Sequence, residues 1–384
     1  MACRKNSRRR FRRLAATALV LLILGLVATV RMGSPAGDGR DSLIVGETMG
    51  TTFHIRILPH ASPRLMRRVG RALDRLEDIF STFRPASVVS RFNDFRGPGS
   101  FRVPPEMVEV VDFALYLARL SGGAYDPTIA PVVNLWGFGW EARRGKFPDR
   151  DAVGRALRAT GYSKVRVFRP GRLVKEEPRV RLDLASVAKG YAVDYIWKLL
   201  RGEGYTDFLV EIGGEVRVSG TYSGRVWRVG IEAPLSDRLP GEEVLRVLGL
   251  ADGTAAATSG SYRNFVTSRE GQAYGHVIDA RTGFPVSNGV VSVTVVAPRC
   301  LAADGLATAL MVLGPDKGLA LARKFPHTEA LMALNTGSGF RVVQTEGFAS
   351  LVQDGPAVPY AMSGMEAADR RKGWRPADGR GNIR

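Results

Sequence analysis

An acidic residue inside an apolar helix is the sequence feature that most constrains the fold. The segment Cys300–Gly314 reads CLAADGLATALMVLG, and Asp304 is its only charged residue. A helix of this composition belongs in a protein interior, where an unpaired carboxylate is strongly unfavourable. Asp304 is therefore expected to be paired, to cap a helix or to bind a metal. Thr308 lies four residues later on the same helix face. Two hard oxygen donors on one face suit Mg²⁺, which usually keeps several waters and bridges to substrate phosphates.

A second segment, Arg181–Asp194, reads RLDLASVAKGYAVD. It predicts a short strand, a turn of small residues and a helix that begins close to Lys189. Open backbone N–H groups at a helix N-terminus and a nearby lysine together favour phosphate. The segment matches neither GxxxxGK nor GxGxxG, and Lys189 could equally be an exposed residue of an amphipathic helix. Taken together, the two segments suggest a site for a magnesium-held pyrophosphate.

The net charge of +18 is concentrated at the two ends of the 384-residue chain. Residues 1–13 carry seven basic side chains and no acid, and residues 369–384 have a net charge of +4. The remaining +7 includes no basic run with interleaved aromatic residues, so a nucleic-acid partner is not expected.

The N-terminal segment predicts export. Residues 14–30 read LAATALVLLILGLVATV, a helix about 25 Å long that is close to the shortest able to span a bilayer. The preceding arginines should remain in the cytoplasm, so the rest of the chain is expected at the outer face of the cytoplasmic membrane or in the periplasm. Residues 1–36 are either a signal peptide cleaved near Ala36 or a signal anchor. The only cysteines are Cys3 and Cys300, which leaves no cysteine metal site and no lipid-attachment cysteine after the apolar segment.

The rest of the chain predicts a mixed α+β domain over residues 44–350, between a linker at 37–43 and a basic, disordered tail at 351–384. Apolar spacing predicts helices over 62–83, 104–121, 151–160, 187–201, 302–313 and 316–324. Strands are predicted over 163–168, 172–175, 179–184, 207–212, 215–219, 226–232 and 290–297, with antiparallel hairpins in the region 208–232. A further strand begins at Leu43 and is interrupted at Met49-Gly50, where spacing alone favours a bulge over close approach to a ligand.

Two other segments carry candidate chemistry. The aromatic residues Tyr125, Trp136, Phe138 and Trp140 lie near glycines, and could form either tight loops or a pocket for a flat aromatic ligand. His276 precedes a turn and is a candidate proton carrier. The chain has no GxSxG motif, so nothing indicates a serine hydrolase.

Eight ordered segments resemble the family of FAD:protein FMN transferases, flavin transferases first described as thiamine-biosynthesis lipoproteins. They cover about residues 45–335 and read MGTTF, STFRPASVVSRFN, GAYDPTIAPVVNLWGFG, LDLASVAKGYAVD, VEIGGEVRVSG, AAATSGSYRNF, HVIDARTGFPVSN and ADGLATALMVLG. The resemblance implies an α+β fold of mixed antiparallel sheets and helices, with two halves around a flavin cleft. It departs from the family pattern at Ala185, where glycine is usual, and in lacking a lipobox.

The resemblance also implies an activity: magnesium-dependent transfer of FMN from FAD to a threonine or serine hydroxyl of an acceptor protein, with release of AMP. The acceptor would be a membrane electron-transport subunit. A FAD pyrophosphatase and a non-catalytic flavin-binding protein are the alternatives. The implied flavin contacts are Met49, Phe83, Ala124, Tyr125, Asp126, Asp183, Lys189 and Ile278. The implied magnesium ligands are Ser186, Asp304 and Thr308, and the implied catalytic residues are His276, Lys189 and Asp304.

Overall fold

The computed structural model describes residues 31–33, 41–97, 99–141, 147–234, 244–261, 265–267, 273–337 and 339–355. The predicted signal segment apart from residues 31–33, its cleavage point and most of the predicted tail lie outside these residues. Among the described residues, no helix has the length and apolar character needed to cross a membrane.

The described residues form a mixed α+β structure, as predicted. The helices are α1 (Pro63–Phe80), α2 (Val88–Asp94), α3 (Pro105–Leu120), α4 (Ala130–Trp136), α5 (Arg150–Leu157), α6 (Ala185–Gly202), α7 (Cys300–Leu313) and α8 (Pro315–Ala322). The first ten strands are β1 (Arg31–Gly33), β2 (Ser42–Thr48), β3 (Thr51–Leu58), β4 (Phe101–Arg102), β5 (Val165–Phe168), β6 (Arg172–Lys175), β7 (Asp207–Ile212), β8 (Glu215–Ser219), β9 (Trp227–Glu232) and β10 (Val244–Leu250). The others are β11 (Ala255–Gly260), β12 (Phe265–Thr267), β13 (Ala273–Gly275), β14 (Ile278–Asp279), β15 (Phe284–Pro285), β16 (Val290–Ala297), β17 (Glu329–Asn335) and β18 (Phe340–Gln344).

A nine-stranded sheet in the order β1-β2-β3-β7-β8-β11-β16-β17-β18 is the centre of the fold. Every neighbouring pair in it is antiparallel. Helices α1, α3, α6 and α7 pack on one face, where the largest hydrophobic core lies. The β9–β10 hairpin covers part of the other face and closes a second core around the fully buried Trp227. Both faces of the central strands are therefore buried, which agrees with their nearly continuous apolar sequence.

A third, smaller cluster forms the other half of the molecule. Val132 and Trp136 of α4 pack with Val153 of α5 and Ile278 of β14. The Trp136 indole N–H donates to the carbonyl of Gly283 at 2.8 Å, which fixes the turn between β14 and β15. A cleft separates this cluster from the central sheet and its helices, as the family resemblance implied.

The interruption at Met49-Gly50 is a hairpin turn, so the predicted bulge is wrong. Thr48 pairs with Thr51, which leaves two residues in the loop. Their φ angles are +51° and +74°, as a type I′ turn requires because its twist matches that of the flanking strands.

The strand predicted over 179–184 is also wrong. Arg181 forms one bridge to Ile129 and nothing longer. The Asn93 side chain accepts from the Leu182 N–H at 2.7 Å and donates to its carbonyl at 2.9 Å. A side-chain amide thus takes the place of a neighbouring strand.

Described elements also lie outside the interval 44–350 that was predicted for the domain. On its N-terminal side, β1 pairs with β2, and β2 begins at Ser42. At its end, Val352 bridges to Leu248, and Gln353 N–H donates to the Val247 carbonyl at 2.8 Å.

Candidate functional site

A cavity of about 880 Å³ lies in the cleft between the two halves. One wall consists of the start of α6, the turn before β8, the end of β11 and one face of α7. The other wall consists of the segment through α4 and the residues around β14. The first wall includes Asp183, Ala185, Ser186, Lys189, Gly213, Gly214, Glu215, Thr258, Ser259, Gly260, Asp304, Thr308 and Val312. The second includes Ala124, Tyr125, Asp126, Ile129, Val133, Gly137, Phe138, His276, Val277, Ile278 and Ala280, and β9 adds Gly230 and Glu232.

The structure brings most of the sequence-predicted site residues to this cavity. Those in its lining are Ala124, Tyr125, Asp126, Asp183, Ser186, Lys189, His276, Ile278, Asp304 and Thr308. Met49 and Phe83 are outside it: the Met49 N–H donates to Glu77 Oε1 at 2.8 Å, and Phe83 is 75% exposed. The segments distant in sequence therefore converge, whereas the β2–β3 turn and the loop after α1 remain apart from the cavity.

Helices α6 and α7 approach each other closely enough to bury Asp304 at the cavity wall. A Cβ atom on Gly190 would lie 2.4 Å from the Cys300 carbonyl oxygen and 2.7 Å from Asp304 Cβ, so only glycine permits this spacing. The Gly190 N–H donates to Asp304 Oδ2 at 2.9 Å. Asp304 is 3% exposed and its carboxylate is paired, as its position in an apolar helix predicted.

Asp194, also on α6, holds the N-terminus of α7. Its carboxylate accepts from the N–H groups of Cys300 at 2.9 Å and Leu301 at 3.1 Å, and from Arg217 at 2.8 Å. The helix that carries Asp304 and Thr308 is thus fixed to the helix that carries Lys189. Sequence reasoning missed Asp194, because Arg217 lies 23 residues away and the two N–H groups of α7 lie more than a hundred residues away.

Lys189 lies between two buried carboxylates. Its Nζ donates to Glu215 Oε1 at 2.7 Å and is 3.9 Å from Asp304 Oδ1. Burial alone would lower the pKa of Lys189, but Asp304 and Glu215 raise it above its ordinary value, so the side chain is an ammonium ion. Sequence reasoning singled out Lys189 and missed Glu215, because nothing in the segment VEIGGEVRVSG marks Glu215 as unusual.

The two carboxylates beside Lys189 have perturbed pKa values. Burial raises the pKa of Glu215 to about 8, with Lys189 opposing and Asp304 adding to the shift. Burial also raises the pKa of Asp304, against the influence of Lys189 and of the Gly190 N–H. Glu215 Oε2 is buried and has no hydrogen-bond partner. Perturbed groups of this kind in a cleft are typical of functional sites.

Hydroxyl groups surround the carboxylates. Ser186 Oγ donates to the Tyr125 hydroxyl at 3.1 Å, and Ser259 Oγ lies 3.1 Å from Thr308 Oγ1. Burial raises the pKa of Tyr125 well above its ordinary value, so this phenol stays protonated. The wall beside Asp304 therefore offers several neutral oxygen donors.

Asp126 and Asp183 are held by local hydrogen bonds. Asp126 accepts from the Thr128 N–H and hydroxyl and from the Tyr162 N–H, at 2.6–2.8 Å, and burial raises its pKa against these contacts. Asp183 Oδ1 accepts from the Ala185 N–H at 3.0 Å at the start of α6, and burial likewise raises its pKa. The Asp183 N–H donates to the Pro127 carbonyl at 2.8 Å, which joins the two walls.

The aromatic residues divide between the cavity and the core behind it. Tyr125 and Phe138 line the cavity, whereas Trp136 packs in the third cluster. The His276 ring lies edge-on to Phe138, with ring centroids 6.2 Å apart. The segment 122–140 thus contributes both a pocket wall and a tight structural loop.

The charges of the cavity favour a divalent cation beside an anionic ligand. The described residues that line it include Asp126, Asp183, Glu215, Glu232 and Asp304, but Lys189 is their only lysine and they contain no arginine. The unpartnered Glu215 Oε2 adds buried negative character. The described residues contain no group of three or more His, Cys, Asp or Glu side chains placed to hold a metal. Magnesium needs no such group, because one or two carboxylates, waters and substrate phosphates commonly complete its coordination. The Asp304 carboxylate and the hydroxyls of Thr308 and Ser186 are oxygen ligands of the kind that magnesium prefers.

Comparisons with known proteins agree with the fold. The ApbE family model matches residues 49–332. A FAD:protein FMN transferase of Vibrio cholerae serotype O1 is 38% identical over 308 residues, or 79% of this chain and 90% of that protein. The solved flavin transferase ApbE from Vibrio cholerae has a TM-score of 0.72 at 35% identity, over 84% of this chain and 100% of that one. The solved apo form of Pseudomonas stutzeri flavinyl transferase ApbE also has a TM-score of 0.72, at 34% identity over 87% of this chain and 100% of that one. The chain therefore belongs to the ApbE family.

Proposed function

We propose that this protein is a FAD:protein FMN transferase. It moves FMN from FAD to a threonine or serine hydroxyl of an acceptor protein, requires Mg²⁺ and releases AMP. The observation that carries the proposal is the cavity in which Lys189, Asp304, Thr308 and Ser186 meet, in a chain of the ApbE family.

The residues on α6 and α7 would act on the pyrophosphate. Asp304, Thr308 and Ser186 would hold Mg²⁺, which would neutralise phosphate charge and polarise the phosphoanhydride. Lys189, kept as an ammonium by its carboxylate neighbours, donates to a phosphate oxygen and stabilises the negative charge that develops there. Because these groups are preorganised and partly buried, their electrostatic effect is stronger than it would be in water.

The transfer breaks the phosphoanhydride bond of FAD and forms a phosphate ester with the acceptor hydroxyl. The acceptor oxygen forms a bond to the FMN phosphorus, and the bond from that phosphorus to the bridging oxygen of AMP breaks, so AMP leaves with the electron pair. The acceptor hydroxyl must lose its proton, and His276 at the cavity wall is the group we assign to accept it. Tyr125, Phe138 and Ile278 supply the apolar wall beside the flavin ring. The family resemblance supports further flavin contacts from Met49 and Phe83.

The acceptor belongs on the outer side of the membrane in this proposal. The arginine-flanked apolar segment at 14–30 supports export, and a membrane electron-transport subunit is the class of acceptor we propose. A reporter fused after Gly37 should be active outside the cytoplasm, and equal activity inside it would contradict the topology.

One incubation tests the activity itself. The full-length protein is mixed with FAD, Mg²⁺ and a threonine-bearing acceptor protein, and the acceptor is then examined for in-gel flavin fluorescence. We expect fluorescence on the acceptor and release of AMP. Free FMN without labelled acceptor would indicate a FAD pyrophosphatase instead, and bound but unchanged FAD would indicate a flavin-binding protein.

A further inference from the structure

Glu215 contacts Lys189 at the cavity wall, and in the reaction described above it helps only to keep that lysine protonated. The side chain is 3% exposed, and one of its oxygens lies 2.7 Å from Lys189 Nζ. Its other oxygen is buried without a partner. A buried polar atom left unpaired is unfavourable, so stability alone gives no reason for a carboxylate at this position.

The two carboxylates near Lys189 lie at different distances from its ammonium group. An ammonium group has three donors and no acceptor. One of its donors is used by Glu215, whereas the 3.9 Å separation from Asp304 Oδ1 is too long for a hydrogen bond. Asp304 is therefore available to a cation, while Glu215 restrains the lysine.

A tight turn and a side-chain hydrogen bond fix the backbone next to Glu215. Glu215 follows a two-residue turn at Gly213-Gly214, whose φ angles are +60° and +98°. The carboxylate of Glu211 accepts from the Gly214 N–H at 2.6 Å and contacts His54 Nδ1 at 2.6 Å. The position of Glu215 is thus fixed by the sheet and does not depend on Lys189.

We propose that Glu215 is the positioning residue of Lys189: it holds the ammonium group at the cavity wall so that its remaining N–H donors face the phosphate of the bound nucleotide. The proposal rests on the proposed function, because it assumes a phosphate ligand beside Lys189. In this proposal Lys189 contacts the phosphate, and Glu215 orients Lys189 for that contact.

The test compares Glu215→Gln with a matched control. Asp41→Asn makes the same acid-to-amide change in a buried ion pair with Arg56, far from the cavity lining. Each full-length protein is titrated with ADP and with riboflavin in the presence of Mg²⁺ by calorimetry, and its Tm is measured. Glu215→Gln should weaken ADP binding by about tenfold, because a neutral amide oxygen holds the ammonium group less firmly than a carboxylate does. Riboflavin has no phosphate, so its affinity should be unchanged.

The Tm separates positioning from a structural ion pair. Replacing Glu215 leaves Lys189 and Asp304 as a neutral pair, so the Tm should not fall. Asp41→Asn removes a negative partner of the buried Arg56 charge, so its Tm should fall while ADP affinity stays at the parent value. A Glu215→Gln protein that loses Tm and keeps its ADP affinity would overturn the proposal, as would one that keeps both.

A second variant keeps the test decisive if Glu215→Gln does not fold. Glu215→Asp retains the charge but shortens the side chain by one methylene, so its carboxylate no longer reaches Lys189 in the same way. ADP binding should again weaken, and riboflavin binding should be unchanged. Parent-like ADP binding by Glu215→Asp would then overturn the proposal. Failure of the parent to label any acceptor would count against the proposed function alone, since the ADP titrations judge Glu215 without the transfer reaction.

Discussion

At the scale of single residues, Asp304 combines a structural contact with a proposed chemical one. Its Oδ2 accepts from the Gly190 N–H, and an asparagine carbonyl in the same place could accept from that group too. The charge, by contrast, matters only for Lys189 and for a cation. Substitution by asparagine therefore separates folding from catalysis at this position.

We expect Asp304→Asn to abolish magnesium-dependent turnover of FAD and to leave Tm within about 3 °C of the parent. The substitution keeps the side-chain volume and removes a charged hard ligand. Release of AMP with magnesium limiting is the measurement, and calorimetric unfolding is the control for the fold. Turnover at the parent rate would make Asp304 a structural residue.

Lys189→Ala should weaken FAD and ADP binding together by about 1.5–3 kcal/mol, the range for a hydrogen bond to a charged group. Riboflavin affinity should change little, because the ammonium group acts on phosphate. Calorimetric titration of both proteins with the three ligands measures this. Equal losses for riboflavin and ADP would point to a disturbed fold, and undiminished ADP affinity would place Lys189 outside the site.

The sequence predicted those residues whose chemistry conflicts with their local surroundings. Asp304 contradicts its apolar helix, and Lys189 follows a run of small residues, so both can be recognised from nearby residues alone. Glu215 and Asp194 lie in ordinary surroundings, and their importance comes from partners distant in sequence. A single sequence contains no signal for such contacts.

At the scale of elements, the spacing of α6 and α7 sets the geometry of the cavity wall. Gly190 lets the two helices touch, and Asp194 fixes the start of α7 against α6. Most helices were predicted within a few residues because their apolar spacing is regular. The short helices α2 and α4 were missed, and the strand predicted at 179–184 failed because the Asn93 amide replaces the strand partner.

Gly190→Ala should destabilise the protein by about 1–3 kcal/mol, because the added methyl group would overlap backbone and side-chain atoms of α7. Gly202→Ala is the matched control on the same helix: a Cβ atom there would meet nothing within 4 Å, and alanine is the better helix former. Chemical denaturation of the three proteins measures both effects. Similar stabilities for the two variants would show that the helices can separate without loss.

Lys175 makes the end of α2 sensitive to pH. Its Nζ donates to the carbonyls of Phe92 at 2.9 Å, Asn93 at 3.1 Å and Val180 at 3.2 Å, and burial lowers its pKa to about 8. The folded state therefore loses this proton at lower pH than the unfolded state, whose lysine pKa is about 10.4. Between these values the unfolded state binds more protons, so the contribution of Lys175 to stability rises with pH.

Urea denaturation of the parent and of Lys175→Met at pH 7 and pH 10 checks this sign. The difference in unfolding free energy should shift in favour of the parent at the higher pH. A constant difference would mean that the pKa of Lys175 is the same in both states.

At the scale of the whole molecule, charge is distributed unevenly. The chain has a net charge of +18, yet the described residues that line the cavity include five carboxylates and one lysine. A cavity wall of this charge is unsuited to a pyrophosphate unless a cation accompanies it.

Removing divalent cations should therefore abolish the binding of ADP and leave that of riboflavin intact. Calorimetry in a chelating buffer, followed by addition of Mg²⁺, measures the loss and its recovery. ADP binding of equal strength with and without the chelator would contradict the assignment of Asp304, Thr308 and Ser186 as magnesium ligands.

The pairing of β3 with β7 bears on how the chain folds. Phe53 of β3 lies opposite Ile212 of β7. These two strands can therefore pair only after the segment between them, which contains α1 to α6, has been synthesised. Contacts between residues so far apart slow folding, because a long loop must close before the pairing can stabilise anything. A nascent chain that has emerged only as far as α3 has β2 on one side of β3 but nothing on the other, and this unpaired apolar edge is a template for aggregation. Truncation between α3 and β7 should consequently yield insoluble protein and not a smaller folded unit.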